Sequence, residues 1–119
     1  MHNVRVLVVD DHKINRELVS FMLKKLDIGH DLAEDGIQAL EMLNVIQYDL
    51  VLMDIFMPNM GGIECLEMIQ KHENKDIAKT RVVAVTAKPE SKGLGNFFAI
   101  LPKPLNMDFF QTSVIRFLT

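Results

Sequence analysis

The sequence predicts an α/β fold: a doubly wound, mostly parallel sheet of five strands with helices on both faces. Three observations predict it. Short, nearly continuous aliphatic runs alternate with longer stretches whose apolar residues recur at helical spacing. Parallel strands need crossover connections, which those stretches supply. The 119 residues suit one domain, since domains commonly run to about 100–150 residues. With 49% hydrophobic and 24% charged residues, the chain can bury a sizeable core and lacks the composition of a disordered segment.

Residues 4–9 form an aliphatic run broken only by Arg5, which suits a strand buried on both faces. Beyond Asp10 and Asp11, Ile14, Leu18, Phe21, Met22 and Leu26 recur at helical spacing until Gly29 stops the pattern. Weaker strand character follows at residues 28–32. Glu34-Asp35-Gly36 then introduces a second amphipathic helix through Ile37, Leu40 and Leu43, and residues 50–53 form a strongly apolar strand ending at Asp54. After Met57-Pro58 and Gly61-Gly62, Ile63, Leu66 and Ile69 mark a third helix that dissolves into the polar stretch 71–79. Residues 82–86 read as strand four and residues 98–101 as strand five. Met107, Phe110, Val114, Phe117 and Leu118 give the last helix one face.

Five strands so connected suit the flavodoxin-like order 2-1-3-4-5, in which strands one and three are neighbours where the winding reverses. Sheets of this kind bind ligands outside the strand C-termini at that switch point. Asp10, Asp11 and Asp54 all fall there, and Thr86 and Lys103 close strands four and five beside them. Carboxylates gathered so closely repel one another and cost stability unless a cation joins them. All-oxygen ligation favours a hard divalent ion, so Mg²⁺ is the expected cofactor. Lys103 adds a fixed positive charge and Thr86 a hydroxyl, the groups that stabilise the oxygens of a phosphoryl group passing to a carboxylate, here Asp54.

The run Val8-Val9-Asp10-Asp11, the segment from Asp49 through Asp54-Ile55-Phe56-Met57-Pro58 with Gly62, Val85-Thr86-Ala87 and Lys103-Pro104 stand in this order along the chain. Together they resemble the receiver domain of two-component response regulators and hybrid histidine kinases, over essentially all 119 residues. Asn15-Arg16 is similar to receivers of hybrid kinases in particular. The resemblance implies a single receiver domain, residues 1–119, in which Asp54 accepts a phosphoryl group from a histidine kinase or histidine phosphotransfer domain. It implies that Asp11 and Asp54 ligate Mg²⁺, with Asp10 acting through water and the Phe56 backbone carbonyl as a further ligand. Lys103 would pair with the acceptor, and Thr86 would swing inward to a phosphate oxygen as the switch. A homodimer is a further partner the family uses.

Three features depart from that pattern, the first being Gly61 where the family very often has aspartate, with Gly62 still supplying the usual glycine. The connection from Thr86 to Lys103 is short and carries Pro89, Gly93 and Gly95, so a shortened or irregular fourth helix is expected. Ile100 stands where the family commonly carries an aromatic ring on strand five. The last two departures motivate an alternative, a pseudo-receiver that acts as an interaction module without phosphorylation. A phosphatase of the haloacid-dehalogenase type would need a second aspartate where Phe56 stands. No glycine-rich phosphate loop follows strand one, which argues against a nucleotide-binding enzyme. The bulk of Phe56 next to the acceptor also suggests hindrance of the water that removes the phosphoryl group.

A formal charge of −3, from 13 Lys and Arg against 16 Asp and Glu, argues against direct nucleic-acid or membrane contact. The single cysteine, Cys65, reads as helix packing in a reducing compartment, and no apolar run approaches the roughly 18 residues of a membrane span. A cytoplasmic location is expected, alone or within a membrane-anchored hybrid kinase. His2, His12, His30 and His72 are scattered without ligand spacing to one another; His12 reads as a loop residue able to modulate the acidic pair electrostatically.

Overall fold

The computed structural model describes residues 3–119, so the readings that touch Met1 and His2 lie outside the described residues. In chain order the elements are β1 (Arg5–Val9), α1 (Lys13–Lys25), β2 (Gly29–Ala33), α2 (Gly36–Leu43), β3 (Leu50–Asp54), α3 (Gly62–Gln70), α4 (Lys75–Ala78), β4 (Val82–Thr86), β5 (Ala99–Pro102) and α5 (Met107–Leu118). The five strands lie in the order β2-β1-β3-β4-β5, and every pairing is parallel. The order read from the alternation is the order found.

Side chains of a strand alternate between faces, and here both faces are covered. Leu7, Val9, Val51 and Met53 point to α2 and α3, where they meet Ala39, Leu43, Leu66 and Ile69. Val6, Val8, Leu50 and Leu52 point the other way, to Val19, Met22 and Leu23 of α1 and Phe110, Val114 and Phe117 of α5. Central strands with no polar face therefore need the continuous aliphatic runs seen in the sequence. Arg5, the interruption in the first run, is held at the sheet edge by Asp31 of β2, with Nη2 donating to Oδ1 at 2.8 Å. That guanidinium holds the Asp31 carboxyl below the usual carboxylate range.

Several details differ from the sequence reading, among them β2, which runs Gly29–Ala33 and so lies one residue later than expected. The stretch 71–79 contains the one-turn α4, because the Asn74 side chain caps it through the Asp76 amide and Ile77 reaches the core. In α1, Ile14, Leu18 and Phe21 are not core residues: Ile14 is 78% exposed, and the buried face is Val19, Met22 and Leu23. The first strand begins at Arg5, and β5 runs from Ala99, with Phe98 still donating its amide to the Val82 carbonyl at 2.8 Å.

Between β4 and β5 the expected irregularity is complete, for no helix forms over residues 87–98. Leu94 and Phe97 from this connection are buried on the α2–α3 face, doing the packing a helix would do. Gly93 turns the chain with φ +88°, a conformation that favours glycine. By alternation with Leu101, Ile100 faces the same side and remains 37% exposed.

Candidate functional site

Asp10 leaves the end of β1 with its amide bonded to the Ala33 carbonyl at 3.1 Å. Asp10 is 5% exposed and each carboxylate oxygen accepts one hydrogen bond: Oδ1 from the His12 amide at 2.9 Å, and Oδ2 from Lys103 Nζ at 3.0 Å. Arg16 Nη1 donates to the Asp10 carbonyl at 2.8 Å, fixing the peptide that aims Asp10 and Asp11 over the strand ends. Asp54 closes β3, is 8% exposed, and accepts the Ile55 amide on Oδ1 at 2.8 Å. Gly62 of α3 packs so closely on this corner that a side chain there would collide with the Asp54 carbonyl. Lys103, just past β5, reaches 3.8 Å from Asp54 Oδ1, so the lysine expected to pair with the acceptor is closer to Asp10.

Burial pushes the Asp54 carboxyl above its ordinary value; Lys103 opposes this, and the negative charges of Asp10 and Asp11 add to it. Desolvation is thus a larger cause than the mutual repulsion on which the sequence argument rested. The acid group fits a divalent cation on its own chemistry. Asp10, Asp11, His12 and Asp54 each offer a ligand atom, all within 4.8 Å of one another. Asp11 Oδ1 is buried and accepts no hydrogen bond, so a cation would satisfy it.

Thr86, 1% exposed at the end of β4, accepts the Lys88 amide on its hydroxyl oxygen at 3.0 Å, while its carbonyl accepts the Lys103 amide at 2.8 Å. The hydroxyl proton stays available for donation. Phe56 follows on the loop after β3, its ring exposed and lying 5.8 Å from Lys88 Nζ. All the residues expected at this edge are therefore brought to it. The family model described as the response regulator receiver domain matches residues 6–110.

The chain is a response regulator receiver domain. Among curated proteins it is 33% identical over 118 residues to the sensor histidine kinase AtsR of Burkholderia thailandensis, covering 96% of this chain and 20% of that one. It is 31% identical over 118 residues to the transcription factor SKN7 of Saccharomyces cerevisiae, covering 95% and 18%. The receiver thus spans a fifth or less of these relatives' length. Among solved structures, the receiver domain of a sensor histidine kinase of Pseudomonas aeruginosa superposes with a TM-score of 0.87 at 27% identity, covering 97% of each chain. That receiver carries a magnesium ion coordinated in its active-site cleft. The chemotaxis response regulator CheY4 of Vibrio cholerae gives a TM-score of 0.87 at 28% identity, covering 97% of this receiver and 98% of that chain.

Three further residues contribute to the site; the sequence places His12 beside the acidic pair as an electrostatic modulator but not as a possible ligand. His12 places Nδ1 3.2 Å from Asp11 Oδ1 and 3.5 Å from Asp10 Oδ1, although the histidines were weighed as ligands only against one another. Its adjacency to the acidic pair was the available signal. Arg16 was legible only as part of a motif, because its target is a backbone carbonyl. Lys88 reaches Phe56 through the irregular connection, where no periodicity places a side chain.

Proposed function

We propose that this receiver, as a single domain of 119 residues, takes a phosphoryl group onto Asp54 from a phosphohistidine on a histidine kinase or phosphotransfer protein. The observation that carries the reading is Lys103 Nζ standing between Asp10 Oδ2 at 3.0 Å and Asp54 Oδ1 at 3.8 Å, beside the unpartnered Asp11 oxygen. A carboxylate oxygen of Asp54 forms the new P–O bond as the P–N bond of the donor breaks, and the electron pair returns to the imidazole. Asp10, Asp11, Asp54 and the Phe56 carbonyl would hold Mg²⁺, which when bound neutralises charge on the phosphoryl oxygens. Lys103 serves the same oxygens as a fixed cation. Thr86 can donate its proton to one of them while still accepting from Lys88, which couples the phosphoryl group to the β4–β5 connection.

The donor has an apolar approach. A groove of about 340 Å³ beside Asp10 and Lys103 is lined by Leu18, Val19, Ala87, Pro104 and Leu105, and the exposed Ile14 and Phe21 continue that surface along α1. A helical partner carrying the phosphohistidine fits such a stripe better than a small charged metabolite does. The β4–β5 connection, Ile100 and α5 form the surface on which the changed state, or a second copy, would be read. A cytoplasmic setting suits the lone buried Cys65, whose thiol burial pushes up to about 12; among the described residues no helix is long and apolar enough to cross a membrane. The assembled acid–lysine group favours this reading over an interaction module that dispenses with phosphorylation.

Intact mass after incubation with acetyl phosphate tests it. The expected result is a gain of one phosphoryl group that requires Mg²⁺ and is absent in Asp54→Asn. A gain that persists in Asp54→Asn, or no gain from either acetyl phosphate or a phosphohistidine protein, overturns it.

A further inference from the structure

Arg16 is placed at the acidic site in a way that its charge does not explain. Its side chain is only 13% exposed, uncommon burial for an arginine, and its short contact is to a neutral group: Nη1 donates to the Asp10 carbonyl at 2.8 Å. Its ion-pair partner, Glu34 in the turn after β2, lies 3.5 Å from Nη2 and is itself 69% exposed, a contact that contributes little. The carbonyl is therefore the contact to account for.

That carbonyl belongs to the peptide joining Asp10 to Asp11. Here the chain passes from the extended β1 to the helical α1 within three residues, Asp10, Asp11 and His12. The Asp10 amide is bonded to the Ala33 carbonyl at 3.1 Å, and the Arg16 amide closes the first turn of α1 on the His12 carbonyl at 3.0 Å. From that turn the guanidinium reaches back over the connection and holds its middle. The two acids depend on this unequally. Asp10 is held by its own carboxylate, whose oxygens accept the His12 amide and Lys103 Nζ. Asp11 Oδ1 is buried and accepts no hydrogen bond, so its placement follows from where the backbone projects its Cβ. The peptide that sets this projection is the one Arg16 holds.

We propose that Arg16 is a positioning residue: by holding the Asp10–Asp11 peptide it aims Asp11 and raises the affinity of the site for Mg²⁺, against the repulsion its own charge exerts on the ion. The proposal rests on the reading of Asp10, Asp11 and Asp54 as the group that holds Mg²⁺ for phosphorylation of Asp54. Charge and geometry act in opposite directions here. Removing a cation from beside a cation site tightens Mg²⁺ binding, whereas losing the aim of a ligand weakens it. Lys103 is the contrasting case, because it bonds a carboxylate oxygen and its removal frees a ligand atom.

Calorimetric titration of the whole chain with Mg²⁺ tests this, on the wild type, Arg16→Met and Arg16→Lys. Methionine keeps an apolar stem and removes the donors. The expected result is that the Mg²⁺ association constant falls about tenfold in Arg16→Met, the loss typical when a group orienting a metal ligand is removed. Arg16→Lys keeps one donor centre without the fork and should recover part of that loss. Acetyl phosphate labelling supplies a second readout. Below saturating Mg²⁺, Arg16→Met should label about tenfold more slowly, and at saturating Mg²⁺ it should come within about twofold of the wild type. A damaged fold would not give that split. Mg²⁺ binding in Arg16→Met as tight as in the wild type or tighter, Arg16→Lys no tighter than Arg16→Met, or a labelling deficit that saturating Mg²⁺ leaves in place overturns the inference. If Arg16→Met does not fold, the wild type decides: its Arg16 guanidinium nitrogen resonances must follow the same Mg²⁺ titration curve as the Asp11 amide, and resonances that stay still overturn it. A wild type that labels while Arg16→Met keeps its Mg²⁺ affinity refutes only the role of Arg16. A wild type that binds Mg²⁺ but never labels refutes the phosphoacceptor reading, and the Mg²⁺ titrations still decide the role of Arg16.

Discussion

Asp54 carries two opposing demands, which its surroundings make measurable. The acceptor role proposed for it needs a reactive carboxylate, whereas its burial raises its proton affinity in the folded chain above the unfolded value. The sign follows from linkage. A carboxyl raised on folding subtracts stability as pH climbs from its ordinary value, about 3.9, through its raised one, and the loss is complete above both. Asp54→Asn should therefore melt higher than the wild type at neutral pH, and the gap should close as pH falls to about 4; an equal or lower melting temperature at neutral pH contradicts the burial account. Lys103 holds the opposite position. Its ammonium lies 3.0 Å from Asp10 and 3.8 Å from Asp54. Lys103→Met removes a competitor for cations and a stabiliser of phosphoryl oxygens, so Mg²⁺ affinity should rise, by about tenfold if the lost repulsion is near 1.4 kcal/mol. Phosphorylation under saturating Mg²⁺ should slow at least as much. Calorimetry and timed intact mass would read the two effects, and a fall in both contradicts the assignment.

At the scale of elements, the connection between β4 and β5 distinguishes this receiver. The helix that alternation would place there is absent over residues 87–98, and Leu94 and Phe97 close the core in its stead. Each is a large apolar group held by a loop, so Leu94→Ala or Phe97→Ala should cost about 2–4 kcal/mol in urea unfolding, near the cost of a helical core truncation. Apart from the hydrogen-bonded amides of Lys88, Ser91, Phe97 and Phe98, amide exchange over residues 87–98 should nevertheless be fast, because no helical hydrogen bonds protect it. A protected multi-turn helix there would refute the account. This element also marks how far the sequence was legible. The strands were readable because each central run is buried on both faces, and the turn of the chain at Pro89 and Gly93 excluded a regular helix. The packing of Leu94 and Phe97 was not readable, since loop residues reach the core without a period. Ile14, Leu18 and Phe21 show the converse failure: helical spacing identified α1 but could not tell its core face from an exposed apolar stripe beside the site. The one-turn α4 was too short to leave any period, and only Asn74 signalled it.

For the molecule as a whole, four residues far apart in sequence, Asp10, Asp54, Thr86 and Lys103, meet because every strand runs parallel and delivers its C-terminus to one edge. That convergence was legible, since the order of strands follows from the alternation and the polar residues end the apolar runs. Which carboxylate Lys103 would sit nearer was not legible, because it depends on ångström-scale side-chain placement. The same edge is open to a donor along α1 and connects through Thr86 and Lys88 to the irregular β4–β5 segment, so phosphorylation at one corner can bias the face beside it. Whether Asp54 receives the phosphoryl group is decided by labelling the chain, reducing the acyl phosphate with borohydride and locating the resulting homoserine by peptide mass spectrometry. Homoserine at position 54 alone is the predicted result; homoserine at position 10 or 11, or none in a chain that has gained phosphoryl mass, would contradict it.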